Sequence, residues 1–157
     1  MTVSVCNLRP ESRGSIHARG PDAGSAPVIA PNYLSTDRDR QVAVDSIRLV
    51  RTVMKQKAMS RLLPTEFKPG GHHLSDESIA KDAGDIGTTI FHPVGTARMG
   101  RADDPDAVVD GRLRVIGVEG LRVIDASVMP TITSGNTNSP TLMIAEKGAE
   151  MVLEDAR

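Results

Sequence analysis

Two side chains, His92 and Asn136, have the types and settings needed to move a proton. His92 lies in Phe91-His92-Pro93-Val94-Gly95-Thr96. Imidazole ordinarily titrates near neutrality, so it can accept a proton at working pH. A general base of this kind typically contributes about 10²–10⁴ in rate. The competing role is a histidine that merely hydrogen-bonds a loop, the commoner fate of an arbitrary histidine. Its place after an apolar stretch and ahead of Pro93 and Gly95 shifts the balance toward chemistry. Asn136 sits in the turn Gly135-Asn136-Thr137-Asn138-Ser139-Pro140. Asparagine in such turns commonly bonds its own backbone; the chemical alternative is a carboxamide that holds a substrate hydroxyl beside the histidine.

These groups need elements to carry them. Ser139-Pro140 opens a helix to about Leu153, with serine as cap and proline tolerated at the first position. The free N–H groups and positive end of that helix favour a negative charge by about 0.3–1 kcal/mol. A reduced flavin, negative at its N1–C2=O edge, is a natural guest. His92 follows a brief strand over residues 88–91. Leu113–Ile116 and Leu121–Ile124 pattern as a hairpin joined tightly through Val118-Glu119-Gly120 after Gly117. Further upstream, residues 2–8, 15–19 and 27–30 pattern as short strands, with a Gly/Pro/Ser-rich loop over 20–26. Thr36-Asp37-Arg38-Asp39 fits a capping box. Ala43, Ile47, Val50 and Met54 then mark an amphipathic helix over about 37–58. Residues 62–73 read as a loop, and Ser75 caps a short helix over about 76–84.

Composition narrows the function classes. A chain of 157 residues has the length of one domain, and 39% hydrophobic residues allow a core. Only 2% are aromatic, which argues against a base-stacking nucleic-acid surface. Nineteen basic residues against twenty acidic ones leave a formal net charge of -1, giving no electrostatic pull toward nucleic acid or an anionic membrane. No apolar run approaches the roughly 20 residues of a transmembrane segment. Met1–Val5 does not read as a secretory signal, and a lone Cys6 forms no internal disulfide, so a reducing, cytoplasmic setting is expected. No metal site is expected, since His72 and His73 read as solvated loop without Cys or carboxylate partners. His17 reads as structural. Arg112, Arg114 and Arg122 are expected to pair with neighbouring acids. Neither Ser127 nor Ser134 stands in a Gly-x-Ser-x-Gly elbow, which disfavours a serine hydrolase.

Taken in order, His92-Pro93-Val94-Gly95-Thr96 with Arg98-Met99-Gly100, Val109-Asp110 with Leu113-Arg114-Val115, Gly120-Leu121-Arg122-Val123 with Asp125-Ala126-Ser127-Val128-Met129-Pro130, and Gly135–Thr141 resemble the C-terminal part of the glucose–methanol–choline (GMC) flavin oxidoreductases, the choline-dehydrogenase-like branch most of all. Leu8–Gly14, Pro31–Leu34 and the helix after Asp37 extend the likeness to nearly the whole chain. The resemblance implies that His92 accepts the hydroxyl proton of an alcohol while hydride passes to flavin N5, and that Asn136 binds the same oxygen. It also implies that Asp125 and Ala126 contact FAD, and that Asn138, Pro140 and Thr141 lie along the isoalloxazine. The implied fold is α+β: part of the family's antiparallel substrate-domain sheet with its helices over about 1–120, then the last strand and helix of the FAD-binding domain over about 121–157. The family's Gly-x-Gly-x-x-Gly turn for the FAD pyrophosphate is missing, and a whole member needs several hundred residues more. The expected partners are therefore a small alcohol and an N-terminal FAD-binding half, in cis or in trans. The rival expectation is a non-catalytic remnant that serves as an interaction module.

Overall fold

The computed structural model describes residues 1–72 and 74–157. His73, assigned above to a solvated loop, lies outside the described residues. The chain divides into two compact units, Met1–Ile90 and Phe91–Arg157. This division is of a different kind from the one near residue 120, which concerned where segments belong in a whole enzyme. The class is α+β, with one short antiparallel sheet and four α-helices among the described residues.

In the first unit, β1 (Ser15–His17) pairs antiparallel with β2 (Val28–Ala30), Ile16 opposite Ile29. Both fall where the sequence placed strands. Residues 2–8 do not form one: Val3 and Val5 are exposed, and no neighbouring strand among the described residues completes their ladder. The stretch 88–91 is likewise irregular, and Phe91 turns to a φ of 62°. Alternation in a sequence fixes which face a strand would bury, but it cannot supply the partner that makes it a strand.

Helix α1 (Asp37–Met54) starts at Thr36, whose hydroxyl accepts from the Asp39 N–H at 3.2 Å. It stops short of the expected residue 58 because Gln56 turns to an extended conformation before a four-residue α2 (Lys57–Ser60). Val44 is its most buried apolar side chain, flanked by half-buried Ala43, Ile47 and Val50. Helix α3 (Asp76–Ile86) is capped by the Ser75 hydroxyl on the Ser78 N–H, as expected, and buries Ile79 as it packs on α1. An Arg48–Asp76 ion pair joins the two helices.

The second unit is built mostly of loops tied by isolated bridges: Met99 with Val109, Val109 with Val115, and Arg114 with Arg122. The expected hairpin survives only at this level, with Val115 N–H donating to Leu121 O at 2.9 Å and Val123 N–H to Leu113 O at 3.1 Å. Gly117 and Gly120 take the positive φ values that its connection requires. Its core is Val109, Leu113, Val128, Met129 and Ile144. Helix α4 (Asn138–Asp155) lays Ile144 and Gly148 against that core. It begins earlier than expected: Thr137, not Ser139, is the cap residue, and Pro140 is the third helical residue. At the far end, Arg112 and Arg122 hold Asp155, and Arg112 also bonds Glu154 at 2.9 Å, placing cations where the helix dipole favours them. Arg114 pairs with Asp110, so all three arginines meet acids as anticipated. No helix among the described residues is long and apolar enough to cross a membrane.

Candidate active site

His92 is carried on a loop fixed from below by the segment that leads into α4. The Ala97 N–H donates to Ser127 O at 3.1 Å and the Met99 N–H to Val128 O at 2.8 Å. Between them and the histidine stands Gly95, at a φ of 87°, where a Cβ would meet Met129 O at 3.4 Å. The backbone conformation favours glycine there, while the space itself would admit a Cβ in ordinary contact. After Pro130 the chain turns at Ser134, which has a φ of 60°, and enters α4 through Asn136 and Thr137. Two segments far apart in sequence thus run past each other, and their side chains meet.

His92 is half-buried. Its Nε2 lies 3.3 Å from Asn136 Oδ1, and its Nδ1 lies 3.0 Å from Thr137 Oγ1 and 3.1 Å from Phe91 O. The two residues singled out from the sequence are therefore neighbours, although 44 positions separate them. Thr137 was not singled out, and it completes the cluster. It is buried, whereas Asn136 is exposed and reachable. Chemically, this is a ring nitrogen beside a carboxamide at the solvent-facing edge of a packed core, suited to gripping one oxygen atom from two sides.

The other sequence candidates flank this pair without joining its hydrogen bonds. Asp125 spends its carboxylate on the Ser127 N–H at 2.7 Å and on the Ser127 hydroxyl, capping a 3-10 turn over Ala126–Val128. Ala126 packs on the core. That turn packs against α4. Asn138 is exposed on the first turn of α4, Pro140 is half-buried, and the Thr141 hydroxyl donates to Thr137 O at 2.6 Å. No side chain caps α4 at its start, so its first N–H groups remain available to a bound anion. The donor set therefore suits the electron-rich edge of a flavin ring. It does not suit a pyrophosphate, for which the glycine-rich turn is missing from the sequence.

Comparison with known proteins places the chain in company consistent with this arrangement. A family model described as GMC oxidoreductase matches residues 10–145. The chain is 41% identical over 152 residues to an alcohol dehydrogenase [acceptor] of Pseudomonas putida, covering 97% of this chain and 27% of that one. It is 46% identical over 148 residues to oxygen-dependent choline dehydrogenase 1 of Chromohalobacter salexigens, covering 94% and 26%. Among solved structures, an FAD-dependent oxidoreductase from Chaetomium thermophilum superposes with a TM-score of 0.86 at 30% identity, over 96% of this chain and 26% of that one. The chain spans about a quarter of the length of the curated relatives it matches.

Proposed function

The chain belongs to the GMC oxidoreductase family through its C-terminal domain, and from that premise we propose that it is the substrate-side portion of an FAD-dependent enzyme that oxidises the CH–OH group of a small alcohol. The observation that carries the reading is the 3.3 Å approach of His92 Nε2 to Asn136 Oδ1. A substrate hydroxyl seated against both side chains donates its proton to Nε2, while the Asn136 amide N–H donates to the substrate oxygen. As the proton leaves, negative charge builds on that oxygen, and the amide opposes it. Oriented donors of this type are commonly worth a large share of a rate enhancement. Bound FAD supplies the hydride acceptor that makes loss of the carbinol hydrogen complete the oxidation to a carbonyl. Asn138, Pro140 and Thr141 would line the ring at the α4 start, with Asp125 and Ala126 beside the preceding turn.

The pyrophosphate cradle belongs to the complementary half of such an enzyme, on the same chain or on another. A small alcohol and that half are the partners the reading requires. An exposed Cys6 suits a reducing, cytoplasmic setting. The chain alone, given FAD, an alcohol and an electron-accepting dye, is expected to show little or no turnover. Joined to a flavin-binding half, it should reduce the dye, and His92→Ala should then lower turnover by about 10²–10⁴. Unchanged turnover in that variant would remove His92 from the mechanism.

A further inference from the structure

We infer that Thr137 is a positioning residue that pins the His92 imidazole as its Nδ1–H tautomer, leaving the Nε2 lone pair directed at Asn136 and at any hydroxyl held there. The inference rests on the reading of His92 as proton acceptor, and it assigns the group that makes Nε2 the accepting atom.

The side-chain-capped helices α1 and α3 contrast with α4. In α1 the Thr36 hydroxyl accepts from the N–H of Asp39, three residues on. In α3 the Ser75 hydroxyl accepts from the N–H of Ser78, again three residues on. In α4 the residue three beyond Thr137 is Pro140, which has no N–H to give. Thr137 takes a φ of -86° and a ψ of -5°, not the extended geometry of the other two caps, and its side chain makes no capping bond. A buried hydroxyl relieved of that duty must find another partner. It finds His92 Nδ1 at 3.0 Å.

The ring's tautomer then follows from what surrounds Nδ1. Phe91 O stands 3.1 Å away, and a carbonyl oxygen can only accept. A lone pair on Nδ1 would face that oxygen repulsively, whereas an Nδ1–H serves both Phe91 O and Thr137 Oγ1. Phe91 O belongs to the adjacent residue and moves with the loop that carries the ring, whereas Thr137 Oγ1 reaches Nδ1 from the separate segment that opens α4 and so fixes the ring relative to Asn136. With Nδ1 protonated, Nε2 carries the lone pair. The Asn136 carboxamide then presents its N–H side, a rotation that exchanges two atoms of nearly equal size. Histidine side chains in water favour the opposite tautomer, Nε2–H, so the bias must come from the protein.

The test reads tautomers directly. In the 157-residue chain labelled with 15N at histidine, long-range proton–nitrogen correlations at alkaline pH separate protonated from unprotonated ring nitrogens, with His92 assigned by its loss in His92→Gln. The expected result is a single Nδ1–H form in the parent chain and in Thr137→Ser, with Thr137→Val lost toward a mixture. Pro140→Ala should also lose the single form, because its restored N–H competes for the Thr137 hydroxyl; this variant carries the test if Thr137→Val does not fold. A parent His92 that is Nε2–H or evenly mixed overturns the inference, as does an unchanged ratio in Thr137→Val or, where that chain is unfolded, in Pro140→Ala. The proton-acceptor role is judged separately by the turnover of His92→Ala, so the two failures are distinguishable.

Discussion

Asp39 is a carboxylate whose neighbours decide its charge. It is 3% exposed, and burial alone would raise its titration above the usual carboxylate range. The Ser12 hydroxyl, the Glu11 and Ser12 N–H groups and Thr36 together outweigh burial and hold it below that range. A Thr36–Asp39 capping box read from sequence locates the residue but misassigns its acceptor atoms, which tie residues 7–12 to the first turn of α1 through Asn7, Glu11 and Ser12. A lowered folded-state value means that the carboxylate stabilises the fold above the unfolded value and loses that contribution as pH falls through the folded one. Asp39→Asn is therefore expected to cost on the order of 1.5–3 kcal/mol at neutral pH. Denaturant titrations across acid pH should show the gap between variant and parent closing as the parent carboxylate protonates. A gap constant with pH would assign the cost to shape instead of charge. The proposed active-site pair was legible in a similar, partial way. Histidine before Pro93 and asparagine after Gly135 stand out by type and setting, but Thr137 does not, because its part depends on an N–H that Pro140 lacks.

Helices α3 and α4 each contain a glycine, and their surroundings set opposite expectations for the same substitution. Replacing a mid-helix glycine by alanine is worth about 1 kcal/mol in helix propensity. At Gly84 in α3, a Cβ would meet only Leu34 Cδ1 at 3.8 Å, an ordinary contact. Gly84→Ala is thus expected to stabilise by about that amount. At Gly148 in α4, a Cβ would fall 2.5 Å from Ile124 Cγ2 and 3.2 Å from Leu113 Cδ1. The Ile124 methyl sits on a branched Cβ that cannot swing aside cheaply. Overpacking of this sort costs about 1–3 kcal/mol, enough to cancel or exceed the propensity gain. Melting temperatures should therefore rise for Gly84→Ala and fall or stand still for Gly148→Ala; a clear rise in both would show that α4 does not seat on Leu113 and Ile124. The helices were the most legible elements because hydroxyl caps and a 3.6-residue period are local signals. Residues 2–8 and 88–91 carry a strand period without a partner strand, and the hairpin at 113–124 shrinks to single bridges for want of neighbours. The α4 start was displaced because Ser139-Pro140 has the form of a cap followed by a first helical residue, while Thr137 already closes the first turn.

Across the whole chain, each of the two units carries large apolar side chains on its surface. On α4, Leu142, Met143 and Leu153 are more than half exposed, on positions away from the buried Ile144 and Gly148. In the first unit, Phe67, Leu63, Tyr33 and Ile29 are exposed to a similar or greater degree. Large exposed apolar patches mark surfaces that meet partners. The chain spans about a quarter of its relatives' length, and on the function proposed above the remaining three quarters of a GMC enzyme would be the cover. Tested alone, the chain should bind a hydrophobic dye such as ANS and self-associate with rising concentration. Co-expressed with a flavin-binding half from a family member, it should purify as a one-to-one complex with a flavin absorbance spectrum and a much weaker dye signal. A lone chain that stays monomeric and leaves the dye dark would mean that its apolar surface is satisfied without a partner. The case for an interaction module, catalytic or not, would then fail, because nothing would remain for a second polypeptide to cover.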